Sequence, residues 1–262
     1  MLMLKALTIF LFLVECALPF NRIVILAPAA SDILLKLGVP DNIVKGRTKH
    51  IEDYPSAISV GTHLKPNIEL MMELQPDLII TMNSNFFLKH TEQYFKTTTY
   101  IYDPLSLNEI IINIKELASM FGSQVKSQKL IKHLKEKLNH ISPVNQRPTV
   151  LFEISSNPLI FSGKSSIIYD IIEKAGGYCP LKENKKFVKA SIETIYKYSP
   201  DIYIYQVGPM NKNPVPPENR KYFHMIKKPV FLKVKEGDFT RANTRSFTNA
   251  VMLNKFFKKA GF

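Results

Sequence analysis

The chain has 262 residues, of which 45% are hydrophobic and 22% charged, and its formal net charge at pH 7 is +13. The hydrophobic and charged fractions are ordinary for a soluble globular protein, and the length is sufficient for two small α/β lobes or one large domain. Two cysteines cannot build a disulfide framework, and without an arginine-rich tract we expect no nucleic-acid partner. The positive charge favours an anionic partner, although evenly spread, solvated lysines would give the same sum.

The chain begins with the charge order of a secretory signal. Lys5 precedes an apolar run from Ala6 to Val14, which is too short to span a bilayer. We interpret residues 1–20 as a signal peptide, the alternative being a buried N-terminal helix. Cys16 could be the lipidated residue of a lipoprotein, but the glutamate before it fits such a site poorly, and cleavage before Asn21 would release a soluble protein. We therefore expect the protein in the periplasm or on the outer face of the cytoplasmic membrane.

After the leader, short β-branched runs alternate with helical stretches, which is typical of parallel α/β units. A buried strand is predicted from Arg22 to Ala27. Ser31 then begins a helix that ends at Gly38, because serine caps helix starts and glycine accepts the left-handed conformation after a helix. The further strands predicted in this part of the chain are 43–46, 78–82 and 98–102. We assign residues 21–104 to an N-terminal α/β lobe.

The strand pattern stops after this lobe. A helical period runs from Leu107 to Phe121, Gly122 interrupts it, and a lysine-rich second helix follows from Gln124 to Ile141. Since this second helix has no β partner, we interpret it as a bridge between lobes. Residues 105–147 are therefore predicted to form a helical region, and residues 148–262 a C-terminal α/β lobe.

One helix-to-strand unit occurs twice in the sequence. Asn67-Ile-Glu69 opens a helix and Pro76-Asp77 leads into a strand, just as Ser191-Ile-Glu193 and Pro200-Asp201 do later. Nine residues separate the capping residue from the proline in each copy. The repeat predicts an α/β fold of two Rossmann-like lobes with parallel sheets, joined by one long α-helix, with a ligand cleft between the lobes.

The two glutamates of the repeat have two interpretations. Glu69 and Glu193 would each complement the dipole of their helix by roughly 0.3–1 kcal/mol. Alternatively, one acidic side chain on each lobe could dock on a partner that has matching two-fold symmetry.

Many short segments of the chain follow a known pattern in their order and spacing. In the first lobe these segments are Arg22–Pro28 with Ser31 and Leu37-Gly38, Asp53–Pro55, Val60-Gly61, Asn67–Glu69 and Leu74–Ile80. In the second lobe they are Asn157-Pro158, Phe161–Lys164, Ala175–Gly177, Ser191–Glu193 and Arg241-Ala242 with Arg245. Together they resemble the class of periplasmic binding proteins that serve cobalamin and ferric-siderophore ABC importers, the metal receptors with a helical backbone.

The resemblance implies a function as well as a fold. It implies a receptor, not an enzyme, with no intrinsic cofactor, which captures a metal chelate and delivers it to an ABC permease dimer with its cytoplasmic ATPase. In that family one glutamate of each lobe pairs with arginines of the two permease subunits, and Glu69 and Glu193 occupy those positions. We also expect a monomer with limited closure of the lobes.

Family ligands lie in the cleft, against loops at the ends of strands. The candidate ligand-binding residues on the corresponding loops are Pro28, Ser31, Tyr54, His63, Asn83, Phe86, Asn157, Phe161, Phe239, Arg241 and Arg245. The aromatic members could form walls of the cleft or belong to the core. The two arginines could clamp an anionic ligand or, as structural residues, bond nearby carbonyls.

The cargo is left open by the sequence. His63 could complete the coordination of a chelated metal, or be a solvated loop histidine. No histidine–carboxylate set suited to a bare Zn²⁺ or Mn²⁺ is visible, so a chelate is preferred to a free ion. The chain has no tryptophan, which the cobalamin protein uses in its cleft, so ferric siderophore, haem, nickel or another metal complex and an oxyanion also stay open.

Two other classes of protein compete with this interpretation. An enzyme is disfavoured because the sequence has no nucleophile motif, phosphate loop or HExxH pattern. A sensory or adhesion domain of the same fold, with no transport partner, is the second alternative. Such a domain would have no need of two matched docking charges.

Overall fold

The computed structural model describes residues 19–82, 94–95 and 97–262. Most of the predicted signal peptide, with Cys16, and the candidate ligand residues Asn83 and Phe86 lie outside the described residues. Among the helices of the described part, none combines the length and the apolar character needed to cross a membrane.

The first lobe is built on a parallel sheet. Its strands are β1 (Ile23–Ile25), β2 (Val44–Arg47), β3 (Ile58–Ser59), β4 (Leu78–Thr81) and β5 (Thr98–Ile101). They lie in the order β3-β2-β1-β4-β5, and every pairing is parallel. Helix α1 (Pro28–Leu37) follows β1 and ends at Gly38, whose φ of 75° is left-handed as predicted. The predicted start at Ser31 is wrong, because the helix begins at Pro28 and Ser31 lies within it. Helix α2 (Ile68–Glu73) precedes β4. The short edge strand β3 was not predicted.

Alternate residues of β1 face opposite sides of the first sheet, and this separates its helices. Ile23 and Ile25 belong to the large core that also contains the buried side chains of α1. Val24 lies in a second cluster with Met71 and Leu74, which come from α2 and its carboxyl end. Helices α1 and α2 therefore cover opposite faces of the sheet.

The second lobe contains a mixed sheet. Its strands are β6 (Val150–Ser156), β7 (Leu159–Ser162), β8 (Phe187–Lys189), β9 (Ile202–Val207) and β10 (Val230–Lys235), in the order β10-β9-β6-β7-β8. Strands β10, β9 and β6 are parallel, but β7 is antiparallel to both of its neighbours. The prediction of two α/β lobes is confirmed, whereas a purely parallel second sheet is wrong. The reason is the tight turn at Asn157-Pro158, which reverses the chain within the sheet.

The predicted helical region contains two helices, separated at Gly122 as the sequence predicts. Helix α3 (Leu107–Met120) and helix α4 (Gln124–Leu138) pack against each other as a helical hairpin that turns at Gly122. Helix α4 contacts α1 in the first lobe and α8 (Arg245–Lys259) in the second, so it has the predicted bridging position. Its 15 residues span about 22 Å, and it ends three residues before the predicted boundary. The remaining helices of the second lobe are α5 (Ile167–Lys174), α6 (Ile192–Tyr198) and α7 (Glu236–Phe239).

The sequence repeat corresponds to a repeated structural contact. The carboxylate of Asp77 accepts hydrogen bonds from the backbone N–H groups of Asn21 (2.7 Å) and Arg22 (3.0 Å), directly before β1. The carboxylate of Asp201 accepts one from the N–H of Thr149 (2.9 Å), directly before β6. Each Pro-Asp pair therefore joins the strand that it begins to the strand beside it.

A buried ion pair, not anticipated from the sequence, organises the second lobe. The Glu153 side chain on β6 is fully buried and pairs with both terminal nitrogens of the Arg220 guanidinium. It also accepts hydrogen bonds from the hydroxyl of Tyr203 and the amide of Asn211 (3.2 Å for Asn211). Because Arg220 Nε donates to the Val215 carbonyl (2.7 Å), the network fixes the proline-rich segment after β9 against the sheet.

Removing the arginine of this pair should be strongly destabilising. We expect Arg220→Met to lower the free energy of unfolding by about 3–5 kcal/mol, because the Glu153 charge would stay buried without its partner. Lys132→Met is the control, since Lys132 is 79% exposed and lies 4.0 Å from Glu136, a surface pair that contributes roughly 0–1 kcal/mol. Urea denaturation followed by circular dichroism measures both. A loss below about 1 kcal/mol for Arg220→Met would contradict this role.

Candidate functional site

The carboxyl ends of the parallel strands indicate where a ligand site should lie. In open α/β sheets, ligands bind in the crevice outside these ends. Helix α2 precedes β4 and helix α6 precedes β9, so the first turns of both helices lie at that edge of their sheets. The loop between β3 and α2 and the segment after β10 also begin there.

The two lobes meet at the segment between α7 and α8. The buried Tyr102 hydroxyl, which follows β5, donates to the carbonyl of Ala242 (2.7 Å). On α1, the carboxylate of Asp32 accepts hydrogen bonds from the N–H (3.1 Å) and the hydroxyl (2.7 Å) of Thr244. These bonds join residues more than 130 positions apart and hold this segment against the first lobe.

Arg241 belongs to the same junction. Its guanidinium donates to the backbone carbonyl of His50 in the first lobe (3.1 Å). Among the described ion pairs none involves Arg241, whereas the predicted companion Arg245 is paired with Asp238. This contact corresponds to the structural role that the sequence left open for Arg241, in which the side chain bonds a nearby carbonyl. It leaves the positive charge of Arg241 without a carboxylate to compensate it. The anion-clamping role of the two arginines stays a prediction.

His63 lies on the loop between β3 and α2, and it is half-buried. Its pKa is lowered from the ordinary value of 6.5, first by burial and then by the charges of His50, Lys186 and Arg241. The imidazole is therefore neutral near pH 7, the form that ligates metals. Its Nδ1 atom is buried and has no hydrogen-bond partner among the described residues.

The basic groups around His63 come from both lobes. His50 belongs to the first lobe, whereas Lys186 and Arg241 belong to the second. The Lys186 amino group is 3.0 Å from the carboxylate of Asp103, in the segment between β5 and α3. In the described part of the chain, no group of three or more His, Cys, Asp or Glu side chains could hold a metal ion. The arrangement thus combines one neutral imidazole with one guanidinium, that of Arg241, which no carboxylate pairs among the described ion pairs.

Three of the four aromatic rings predicted to line the cleft are core residues. Phe161 is 0% exposed and packs edge-on against Tyr203, with ring centroids 5.9 Å apart. Phe239 is 2% exposed and packs on Phe152 at 5.6 Å. Tyr54 is 1% exposed, and this burial raises the pKa of its hydroxyl well above the usual range. The expectation of aromatic walls is therefore wrong for these three rings, because each has its contacts inside the lobe that carries it.

The remaining candidates differ in what they could offer a ligand. Ser31 is buried, and its hydroxyl lies within hydrogen-bonding distance of the Pro28 carbonyl (2.9 Å) and the Asp53 carboxylate (2.5 Å). Its polar group is thus already satisfied, which corrects its assignment as a ligand contact. Pro28 is half-buried in the first turn of α1, and Asn157 is exposed in the turn between β6 and β7. Their roles stay predictions.

Glu69 and Glu193 are exposed side chains in the first turns of α2 and α6. The Asn67 side chain caps α2 by accepting a hydrogen bond from the N–H of Leu70 (3.0 Å). The pKa of Glu193 is lowered, mainly by a hydrogen bond with the Ser191 side chain. The fold thus presents one carboxylate at the equivalent position of each lobe, as the repeat predicts. Whether these carboxylates dock on a partner stays a prediction.

Comparisons with known proteins identify similar chains and folds. Residues 23–231 match the profile of a family described as periplasmic binding protein. The chain is 24% identical over 200 residues to the uncharacterized ABC transporter substrate-binding lipoprotein YvrC of Bacillus subtilis, over 70% of this chain but 63% of that protein, so it spans less than two thirds of the relative.

Solved structures are similar over nearly the whole chain. The structure of the periplasmic vitamin B12 binding protein BtuF of Vibrio cholerae has a TM-score of 0.74 at 20% identity, covering 92% of this chain and 98% of that one. Staphylococcus aureus IsdE, complexed with heme, has a TM-score of 0.72 at 20% identity, covering 90% of this chain and 98% of that one. At these identities the likeness establishes the fold.

The electrostatic setting of His63 can be measured directly. Arg241→Gln should raise the pKa of His63 towards 6.5, because a positive charge that opposes protonation is removed while burial is retained. The His63 imidazole shifts in an NMR pH titration report this value, with Arg245→Gln as the control, since Arg245 is not among the charges acting on His63. Since the folded-state pKa of His63 is depressed, its protonation should also lower stability as pH falls through about 6.5. An unchanged His63 titration in Arg241→Gln would contradict the described junction.

Proposed function

Because the chain belongs to the periplasmic binding protein family, we propose that it is the extracytoplasmic substrate-binding subunit of an ABC importer and that its cargo is an anionic metal chelate. The observation that carries this proposal is the neutral His63 imidazole, whose buried Nδ1 has no partner among the described residues, near the Arg241 guanidinium of the other lobe, which has no carboxylate partner among the described ion pairs. The matched glutamates of α2 and α6 add a means of presenting the loaded receptor to a two-fold permease.

The donor set near His63 favours a chelate over a bare ion. A structural or transport site for a free transition metal needs three or four protein ligands. No such group occurs among the residues that the structure describes, so a metal bound here would arrive with most of its coordination sphere filled. His63 would then supply a single imidazole nitrogen to one open coordination position of the metal.

The charges of the junction favour an anionic chelate. Arg241 has no carboxylate partner among the described ion pairs, and its planar fork of donors suits carboxylate or catecholate oxygens. The named ligands of similar proteins, vitamin B12 for BtuF and heme for IsdE, are both metal complexes. Ferric siderophores and haem, which carry acidic groups, therefore rank above a neutral complex as cargo.

To deliver a chelate to an importer, the protein must be located outside the cytoplasm. The order of Lys5 and the following apolar run supports secretion, and the Bacillus subtilis relative is a lipoprotein. We propose that the lobes then dock on the permease through Glu69 and Glu193. A carboxylate on each lobe would pair with a basic residue of each permease subunit.

The cargo can be tested by native mass spectrometry of the purified protein with a chelate panel. The panel contains ferric citrate, a ferric catecholate, haem, cobalamin, nickel-histidine and molybdate. We expect one anionic chelate to be retained, and Arg241→Gln to bind it about 10- to 100-fold more weakly, the worth of one charge-assisted hydrogen bond. Arg147→Gln, which removes an exposed pair with Glu173 elsewhere, is the control. Failure of a folded sample to retain any chelate would count against the receptor function.

The retained chelate can also distinguish metal coordination by His63 from electrostatic attraction by the neighbouring positive charges. His63→Ala should weaken binding and change the visible absorption spectrum of the bound complex, because an imidazole ligand to the metal would be lost. His133→Ala, on the exposed face of α4, should change neither property. An unchanged spectrum in His63→Ala would rule out metal coordination by this side chain while leaving the receptor function intact.

Docking through the glutamates can be tested by uptake. Glu69→Lys combined with Glu193→Lys should abolish transport in cells and leave chelate affinity unchanged, because both carboxylates are exposed. Glu73→Lys combined with Glu136→Lys changes the net charge equally at exposed positions and should transport normally. Normal uptake by the first double variant would contradict docking through these residues.

A further inference from the structure

A second concentration of positive charge lies on helices α4 and α8, away in sequence from His63. We define the lysine surface as eight side chains of α4 and α8. These are Lys126, Lys129, Lys132, Lys135 and Lys137 on α4 and Lys255, Lys258 and Lys259 on α8. Lys137 is partly buried, and the other seven are exposed.

The two helices make one continuous surface. Helices α4 and α8 pack side by side. The Lys137 amino group donates to the hydroxyl of Thr248 on α8 (3.2 Å), and the Lys258 amino group donates to the hydroxyl of Ser142, just after α4 (2.8 Å). The carboxyl end of α4 therefore contacts the first turn of α8, and the segment after α4 continues along α8 to Lys258.

The charge of the lysine surface is almost uncompensated. Helix α8 carries no acidic residue, and α4 carries only Glu136. Within the described residues, the one ion pair on this surface joins Lys132 to Glu136 at 4.0 Å, with both side chains more than half exposed. Such a pair adds little to stability. The surface thus carries close to seven unbalanced positive charges, which is about half of the net charge of +13.

The lysine surface is separate from Glu69, one of the two glutamates considered for permease docking. Helix α4 packs on α1, and α1 covers the face of the first sheet opposite to α2, which carries Glu69. A partner on the lysine surface would therefore not cover Glu69.

The described chain enters the fold beside this surface. Phe20 packs edge-on against Phe121, with ring centroids 5.9 Å apart. Phe121 lies three residues before the start of α4. Any membrane attachment preceding Phe20 would consequently hold the start of α4 close to the bilayer.

We propose that the lysine surface binds the anionic headgroups of a lipid membrane and so holds the protein at the surface of the bilayer. Val125 is the one large exposed hydrophobic side chain that α4 and α8 present in the described structure. Contact with the membrane is therefore electrostatic, without insertion of an apolar wedge, and it is reversible and sensitive to salt. This binding does not depend on the identity of the transported ligand.

Vesicle co-sedimentation tests the proposal. The protein is mixed with vesicles of phosphatidylcholine alone or with 30% phosphatidylglycerol, at about 50 and 500 mM salt. We expect binding only to the anionic vesicles and only at low salt. Lys129→Glu with Lys132→Glu and Lys135→Glu should weaken it at least about 100-fold, since each lysine near an anionic surface contributes roughly a fivefold factor. The same three reversals at the exposed positions Lys212, Lys221 and Lys228 are the control for net charge.

Each outcome of the vesicle experiment decides the proposal. Loss of binding in the α4 variant but not in the control locates the contact on the lysine surface. Equal loss in both variants would mean a general charge effect and would overturn the proposal. So would binding of the wild type to soluble polyphosphate but not to anionic vesicles. Because the α4 variant leaves His63 and Arg241 intact, its chelate binding should be unchanged, which separates this result from the proposed transport function.

Discussion

Contact between Asp32 and Thr244 fixes how the two lobes face each other. The carboxylate on α1 accepts two hydrogen bonds from Thr244, directly before α8, and so joins the start of that helix to the first lobe. Tyr102 and Arg241 add bonds across the same junction, and α4 connects α1 with α8 beside it. Specific polar bonds thus add to the packing of a core shared by both lobes in setting their relative position, and the surroundings of His63 depend on it.

This junction brings the charge of Arg241 to His63 although the two residues lie in different lobes. A guanidinium held by a backbone carbonyl keeps its full charge, because a carbonyl orients it without neutralising it. A carboxylate in that position, as Asp238 provides for Arg245, would compensate the charge instead. Burial and the neighbouring cations then keep the imidazole neutral. The proposed ligation by a neutral imidazole near a permanent positive charge suits a metal whose other ligands are anionic.

Local chemistry decided which features the sequence could predict. The strand and helix of the first lobe, the end of α1 at Gly38 and the repeated helix-to-strand unit all depend on residues close together in the chain, and the structure contains them. The Glu153–Arg220 pair joins residues 67 positions apart, and the Asp32–Thr244 contact joins residues 212 apart. Neither has a local signature. The aromatic rings were misassigned for a related reason, since a position near a loop does not determine which way a ring such as Phe239 packs.

Net charge shows the same limit of sequence-based prediction. The total charge indicates less about function than the positions of the charged side chains in the fold. The value of +13 is compatible with solvated lysines, an anionic ligand or an anionic surface. In the structure the positive charges separate into two kinds of environment. Near His63, Lys186 and Arg241 of the second lobe are partly enclosed, which suits recognition of one small anion. On α4 and α8 many lysines are exposed on one continuous helical surface with a single carboxylate, which suits a broad anionic surface. Screening by salt should weaken the exposed contact far more than the enclosed one, so the two kinds of charge are separable in function as well as in position.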